Sequence, residues 1–225
     1  MRLVMRGAGG RLKTGRHVDN GGGMSGKRER QRWLIRQASM ADAEAVCHMF
    51  NHDDVFPNTL QLPFSSLSDW QQRLERMDHG HHMLAACHPE TPEALLGLIG
   101  LHPVAASARV AHVRTIGLAV HPDYAGQGIG SQLLRAAIDL ADNWLNVTRL
   151  SLGVYSHNHR AIDLYERHGF VREGLSRGIS FGHGRYLDSL EMARLHPRLE
   201  QAIEAQRESN ETGIHHLSQQ GNTRC

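Results

Sequence analysis

Two stretches carry residue types at spacings that could do chemistry. The first is "YAGQGIGSQLL" at 124–134, where Gly126, Gly128 and Gly130 alternate before an apolar run. Glycines so close to a helix start let the backbone approach an anion, with free N–H groups and the positive end of the helix dipole behind them. The second is "NHRAIDLYERHGFVREG" at 158–174, which presents Asn158 and Tyr165. Asparagine offers a donor and an acceptor, matching an amide-rich ligand. Tyrosine is a neutral donor at pH 7, with a pKa near ~10 against ~8.5 for a thiol. Taken alone, Tyr165 reads as a half-buried aromatic on an amphipathic helix.

The glycine loop excludes two common ligands. A dinucleotide fingerprint needs G-x-G-x-x-G and an acid at the end of the next strand. Here the spacing is G-x-G-x-G, and "RLSLGVYS" carries neither Asp nor Glu. A phosphate-binding P-loop ends in Gly-Lys-Ser/Thr, and "GIGSQ" has no lysine. A pyrophosphate held by N–H groups of 127–131 remains, beside a tight strand-to-helix turn with no ligand.

The surrounding pattern supplies elements to hold these residues. "WLIRQAS" reads as a strand. "SMADAEAVCHMF" and "SLSDWQQRLERM" read as helices, opened by Ser39–Asp42 and Ser66–Asp69 capping boxes. "HMLAAC", "ALLGLIGLHPVAA" and "RVAHVRTIGLAVHP" read as strands. A helix follows over 130–145, with Leu134, Ile138, Ala141 and Leu145 as its stripe and Leu133, Ala137 and Trp144 beside it. Then come the strand "RLSLGVYS", a helix stopped by Gly169, and the strands "FVREGL" and "RYLDSLEMARL". The order β-α-α-β-β-β-α-β-α-β-β predicts an α/β (α+β) body over 33–196, a single-domain size. The polar tail 197–225 is expected to be partly helical, for a turn or two, or disordered.

Composition bounds the function. Residues 1–32 hold nine Lys/Arg and two Asp/Glu, and are Gly-rich without an apolar period. They are expected to be a disordered basic extension, or residues 1–23 to precede a true start at Met24, rather than a secretory signal or transit peptide. The remaining residues hold 16 basic and 21 acidic groups, so no nucleic-acid surface is indicated. No stretch is long and apolar enough for a membrane span. Three cysteines at unrelated spacings suit a reducing, cytoplasmic setting.

At this point the residues carry a resemblance. "GLAVHPDYAGQGIGSQLL" resembles the acyl-CoA-binding motif of the GCN5-related N-acetyltransferase (GNAT) superfamily, Q/R-x-x-G-x-G/A. "NHRAIDLYERHGFVREG" resembles the second signature of the same superfamily: Asn, Ala three later, Tyr seven later, then Gly-Phe. "NTLQLPF", "DNWLNVTRL" and "GRYLDSLEMAR" are similar to the YhhY-like bacterial amino-acid N-acetyltransferases. The resemblance implies a central mixed, mostly antiparallel sheet flanked by helices and splayed at its central strand. It implies acetyl-CoA as cosubstrate, no metal, and direct transfer to a primary amine of a small molecule such as an amino acid. It leaves homodimerisation open. Leu118 and Val120 would hold the pantetheine arm, and the Leu118 N–H would polarise the thioester carbonyl. The N–H groups of Gln127, Gly128, Gly130 and Ser131 would take the pyrophosphate, and Asn158 the pantetheine. Tyr165 would protonate the leaving thiolate. Asn58, Thr59, Leu60 and Gln61 would border the acceptor.

The sequence departs from the family pattern at two places. Ala125 stands where Arg or Gln is usual, so the loop must bind through its backbone, with Arg160 or another cation as a substitute. The segment "VAHVRTIGLAV" has no carboxylate, leaving His112 as its one candidate base. The need for a base depends on the acceptor. Freeing a peptide α-amine of pKa ~8 at pH 7 costs about 1.4 kcal/mol, against about 4.6 for a lysine, and free amino acids lie between these. "DHGHH" at 78–82 is a weak metal candidate without a closed-site ligand pattern. None of the cysteines lies in either motif, which speaks against a cysteine acyl-enzyme. Other readings are a protein N-terminal or aminoglycoside acetyltransferase, and a catalytically silent acyl-CoA-binding regulator.

Overall fold

Alternating apolar residues make seven strands, and all seven join one sheet. The computed structural model describes residues 33–75, 77 and 80–220, with side chains through residue 209. Residues 1–32, including the expected basic extension, lie outside the described residues.

In chain order the elements are β1 (Leu34–Gln37), α1 (Ala43–Phe50), α2 (Leu67–Glu75), β2 (His82–His88), β3 (Thr91–Pro103) and β4 (Val113–Val120). There follow α3 (Ile129–Asn143), β5 (Arg149–Tyr155), α4 (His159–Glu166), β6 (Val171–Gly182), β7 (Arg185–Leu195) and α5 (Pro197–Gln220). Across the sheet the order is β1-β2-β3-β4-β5-β7-β6. Neighbours are antiparallel except at β4–β5. That parallel ladder pairs Val113 with Arg149 and Thr115 with Ser151, then stops. Beyond it Gly117, Leu118 and Val120 have no partner on β5, so the sheet opens at its central strand as expected.

Each face of the sheet is covered by helices. On one side α3 buries Ile129, Leu133, Leu134, Ala137 and Ala141 against Ile116, Leu150, Leu152 and Val154. On the other, Val46, Met49 and Phe50 of α1 and Trp70 and Leu74 of α2 cover Ala85, Leu98 and Ala119. Each fully buried large apolar side chain contributes about 1.5–3 kcal/mol, so both layers are firmly held. The two capping boxes form. Asp69 Oδ2 accepts from the Ser66 N–H at 3.3 Å, and Ser66 Oγ accepts from the Asp69 N–H at 3.2 Å. Asp42 accepts from the Ser39 N–H and from both Nη atoms of Arg36. Burial opposes its ionisation, but these donors prevail and hold its carboxyl below the usual range.

Four boundaries differ from the sequence reading. β4 starts at Val113, not 109, because residues 108–110 make a 3-10 turn; His112 is exposed just before the strand. α3 stops at Asn143, which leaves Trp144 76% exposed rather than beside the stripe. β6 continues to Gly182, closing on β7 through a two-residue His183–Gly184 turn with both φ positive. α5 runs for 24 residues, not one or two turns. Pro197 at its start and a run of Glu, Gln, Ala and Arg suit a helix despite the polarity.

Candidate active site

The glycine loop folds into a cradle of free N–H groups, the donor type that suits an anion. A 3-10 turn at Pro122–Tyr124 leads from β4 into Ala125, and both Gly126 and Gly128 adopt φ of 85°. A left-handed backbone is costly with a side chain, so glycine is required there. Gly128 becomes the residue before α3. The N–H groups of Gly128, Ile129, Gly130 and Ser131 make no hydrogen bond among the described residues, and a side chain on Gly128 would meet open space. One sequence assignment needs correction. The Gln127 N–H turns back to Tyr124 O at 3.4 Å, closing the turn, so Ile129 replaces it in the free set. Trp33 steadies the loop: its Nε1 donates to Gln127 O at 3.3 Å, and its N–H to Gln132 Oε1 at 3.2 Å.

Ala125 adds no charge, but a guanidinium lies beside the loop. Arg160 Nη2 lies 3.9 Å from the position a side-chain carbon would take on Gly126. It sits in the first turn of α4, exposed, so its guanidinium flanks the cradle. Arg160→Ala is therefore expected to weaken acetyl-CoA binding about 3- to 10-fold at low salt and less at high salt. Ala125→Arg in that background is expected to restore it. Calorimetric titration at two salt concentrations checks both; an Arg160→Ala protein binding like the parent would remove the role.

Behind the cradle, β4 and α4 converge. A side-chain carbon on Gly130 would touch Leu164 at 3.3 Å and Leu118 and Val120 at 3.6 Å, so glycine brings these segments together. Ser131 Oγ bonds His168 Nε2 at 2.9 Å, and His168 Nδ1 bonds Leu164 O at 2.9 Å, locking α3 to α4. Asn158 plays a part the sequence reading did not assign. Its Oδ1 caps α4 by accepting from the Ala161 N–H at 3.1 Å, leaving its amide N–H₂ as the donor without a described partner. Tyr165 is 6% exposed beside Phe170. Burial pushes its hydroxyl up to about 12, so it keeps its proton. That hydroxyl has no described hydrogen-bond partner, yet it is not fully enclosed. It is therefore left as a spare donor.

The opposite face of the sheet carries three strand glycines and an open notch at Gly117. The register aligns Gly100 with Gly117, and Gly153 with Glu191, while a side-chain carbon on Gly117 would meet nothing within 4 Å. The Glu191 carboxylate oxygens lie 3.5 and 3.6 Å from that position on Gly153. They have no hydrogen bond or ion pair among the described residues. Loop 58–61 is tied to the end of β5, where Tyr155 OH donates to Thr59 O at 3.2 Å. Its side chains are largely engaged elsewhere: Asn58 with Asp54 O, Thr59 with Phe56 O, and Gln61 with Arg73 at 2.6 Å. Leu60 is 79% exposed. His112, at the far end of β4 from Leu118, is not brought to the site. Asp78 and His79 of the "DHGHH" cluster lie outside the described residues. Among the described residues, no group of three or more metal-ligating side chains forms.

The acetyltransferase (GNAT) family model matches residues 43–170, which run from α1 through α4 and include β2–β5 and the cradle. The chain belongs to this family. The N-acetyltransferase is 34% identical to the L-amino acid N-acetyltransferase AaaT of Escherichia coli K12, over 72% of this chain and 97% of that one. Its fold matches the ribosomal-protein-alanine N-acetyltransferase of Brucella melitensis with a TM-score of 0.65 at 28% identity, covering 72% of this chain and 99% of that one. It also matches yncA of Salmonella typhimurium, solved with acetyl-CoA, with a TM-score of 0.66 at 21% identity over 73% and 94%. No helix among the enzyme's described residues is long and apolar enough to cross a membrane.

Proposed function

We propose that this N-acetyltransferase moves the acetyl group of acetyl-CoA directly to the primary amine of a small molecule, with an amino acid as the favoured class. The observation that carries the reading is the cradle of four unpartnered N–H groups, set between a splayed strand and Tyr165. The donor set fits a pyrophosphate: backbone N–H groups at a helix start, glycines without side chains and a flanking guanidinium. The AaaT relative's name, an L-amino acid N-acetyltransferase, supports the acceptor class.

Acetyl-CoA supplies an activated acyl thioester. Gly128, Ile129, Gly130 and Ser131 hold the pyrophosphate through N–H groups, and Arg160 adds charge. Leu118 and Val120 line the unpaired edge of β4, where the pantetheine takes the place of the missing strand pairing, with the Asn158 amide N–H₂ as a further donor. The Leu118 N–H polarises the thioester carbonyl. Tyr165, neutral and unengaged, gives its proton to the leaving sulfur. Asn58, Thr59, Leu60 and Gln61 border the acceptor at the end of β5. Free Cys47 and Cys87 fit a reducing compartment.

The test is a thiol-release assay with acetyl-CoA and a panel of L-amino acids, N-terminal peptides, polyamines and aminoglycosides. The highest kcat/KM is expected on an L-amino acid. A peptide preferred over every free amino acid would move the acceptor to protein N-termini. Retained acetyl-CoA binding with no turnover across the panel would indicate a regulator.

A further inference from the structure

A histidine stands on the same face as the notch at Gly117. His102 lies two residues beyond Gly100 on β3, so both present the same face. Its ring folds back over Gly100: a side-chain carbon there would lie 2.2 Å from His102 Nε2. Gly100 pairs directly with Gly117, the residue before Leu118. Adjacent strands are ~4.8 Å apart, so the imidazole stands about one strand spacing from the open notch at Gly117. Its other nitrogen is engaged, with Nδ1 bonded to His81 Nδ1 at 2.9 Å. Nε2 has no described partner, and it is not among the fully enclosed polar atoms.

We propose that His102 Nε2 is the proton acceptor for the amine, with His81 as its positioning residue. This rests on the acetyl-transfer reading above and supplies the base that β4 lacks. When His102 Nδ1–H donates to His81 Nδ1, Nε2 keeps its lone pair; this is the tautomer a base needs. An incoming ammonium gives one proton to Nε2, which passes it to water. The free amine nitrogen then forms its bond to the acetyl carbon as the carbon–sulfur bond breaks. Tyr165 gives its proton to sulfur, and the second proton leaving nitrogen replaces it through water. Burial, reinforced by the neighbouring His81, lowers the His102 pKa and keeps the ring neutral at pH 7. Two further groups lie near this pair: His82, and Arg114, whose charge acts on His82 and whose Nη2 lies 3.5 Å from the side-chain position on Gly80.

The test compares the parent, His102→Gln and Gly100→Ala on the panel's best L-amino acid from pH 6.5 to 9.5. At pH 6.5, His102→Gln is expected to lose about 100-fold in kcat with acetyl-CoA binding retained. The loss should shrink below about 5-fold near pH 9.5, where a large share of the amine is already free. Gly100→Ala, whose methyl displaces the ring, should behave alike. Side-chain NMR of the parent should show His102 neutral below pH 6.5 and protonated on Nδ1, a preference lost in His81→Ala. Three results overturn the proposal: a His102→Gln loss that does not change with pH, an Nε2–H tautomer in the parent, or a pH-dependent loss in Glu191→Gln instead. A parent that turns over no amine removes the underlying reading as well, and the NMR result separates that case from failure of the base alone.

Discussion

Gly128→Asp is expected to weaken acetyl-CoA binding at least ~100-fold while leaving the fold intact. The position has a φ of 85° and open space where a side chain would go, so an added group meets no protein atom. Asp and Asn tolerate the left-handed region better than other L residues. The cost of Asp is therefore mainly electrostatic. A carboxylate ~4 Å from one phosphate charge is repelled by about 4 kcal/mol at an effective dielectric of 20. Screening by salt and partial exposure lower this, and the expected 100-fold loss is about 2.8 kcal/mol. Gly128→Asn carries the same shape without the charge and should lose less than about 10-fold. Calorimetric titration of both variants checks the pair. Equal losses would show that shape rather than charge is at stake, and an Asp variant binding like the parent would move the pyrophosphate elsewhere.

The second large effect is at Tyr165. Tyr165→Phe should lower kcat about 100-fold, with the KM for acetyl-CoA changed by less than about 3-fold. Thermal stability should stay within about 1 kcal/mol. In most proteins a buried tyrosine hydroxyl is bonded, and its removal disturbs the core. Here the ring packs beside Phe170 while the hydroxyl has no described partner, so phenylalanine keeps the packing and removes only the proton. A pKa raised to about 12 by burial keeps the proton in place across the working pH range. Unchanged turnover would withdraw the general-acid role, while a large stability loss would mean the hydroxyl holds the core.

The cradle and α4 were legible in the sequence because their signals are local. Three alternating glycines before an apolar stripe, and Asn158 seven residues before Tyr165, need no knowledge of the sheet. Even so, the turn geometry that spends the Gln127 N–H on Tyr124 could not be seen, because it depends on where the 3-10 turn ends. The acceptor face was not legible. Gly100, Gly117 and Gly153 each look like a glycine inside a strand, and only the register of strands distant in sequence aligns Gly100 with Gly117 and Gly153 with Glu191. His102 sits in an apolar run ending at Pro103, where nothing in the alternation marks its ring as folded over Gly100. The length of α5 was underestimated for a related reason: a polar tail lacks an apolar period, yet its residues individually favour a helix.

The most direct measurement is a mass balance of acetyl groups in a single turnover, with excess enzyme over acetyl-CoA and the best acceptor of the panel. Acetylated amine and free CoA thiol should appear together, in equal amounts and at one rate, with no acetyl group left on the protein. Acetyl groups building up on the protein before any acetylated amine, or thioester bound and left uncleaved, would contradict direct transfer at this site.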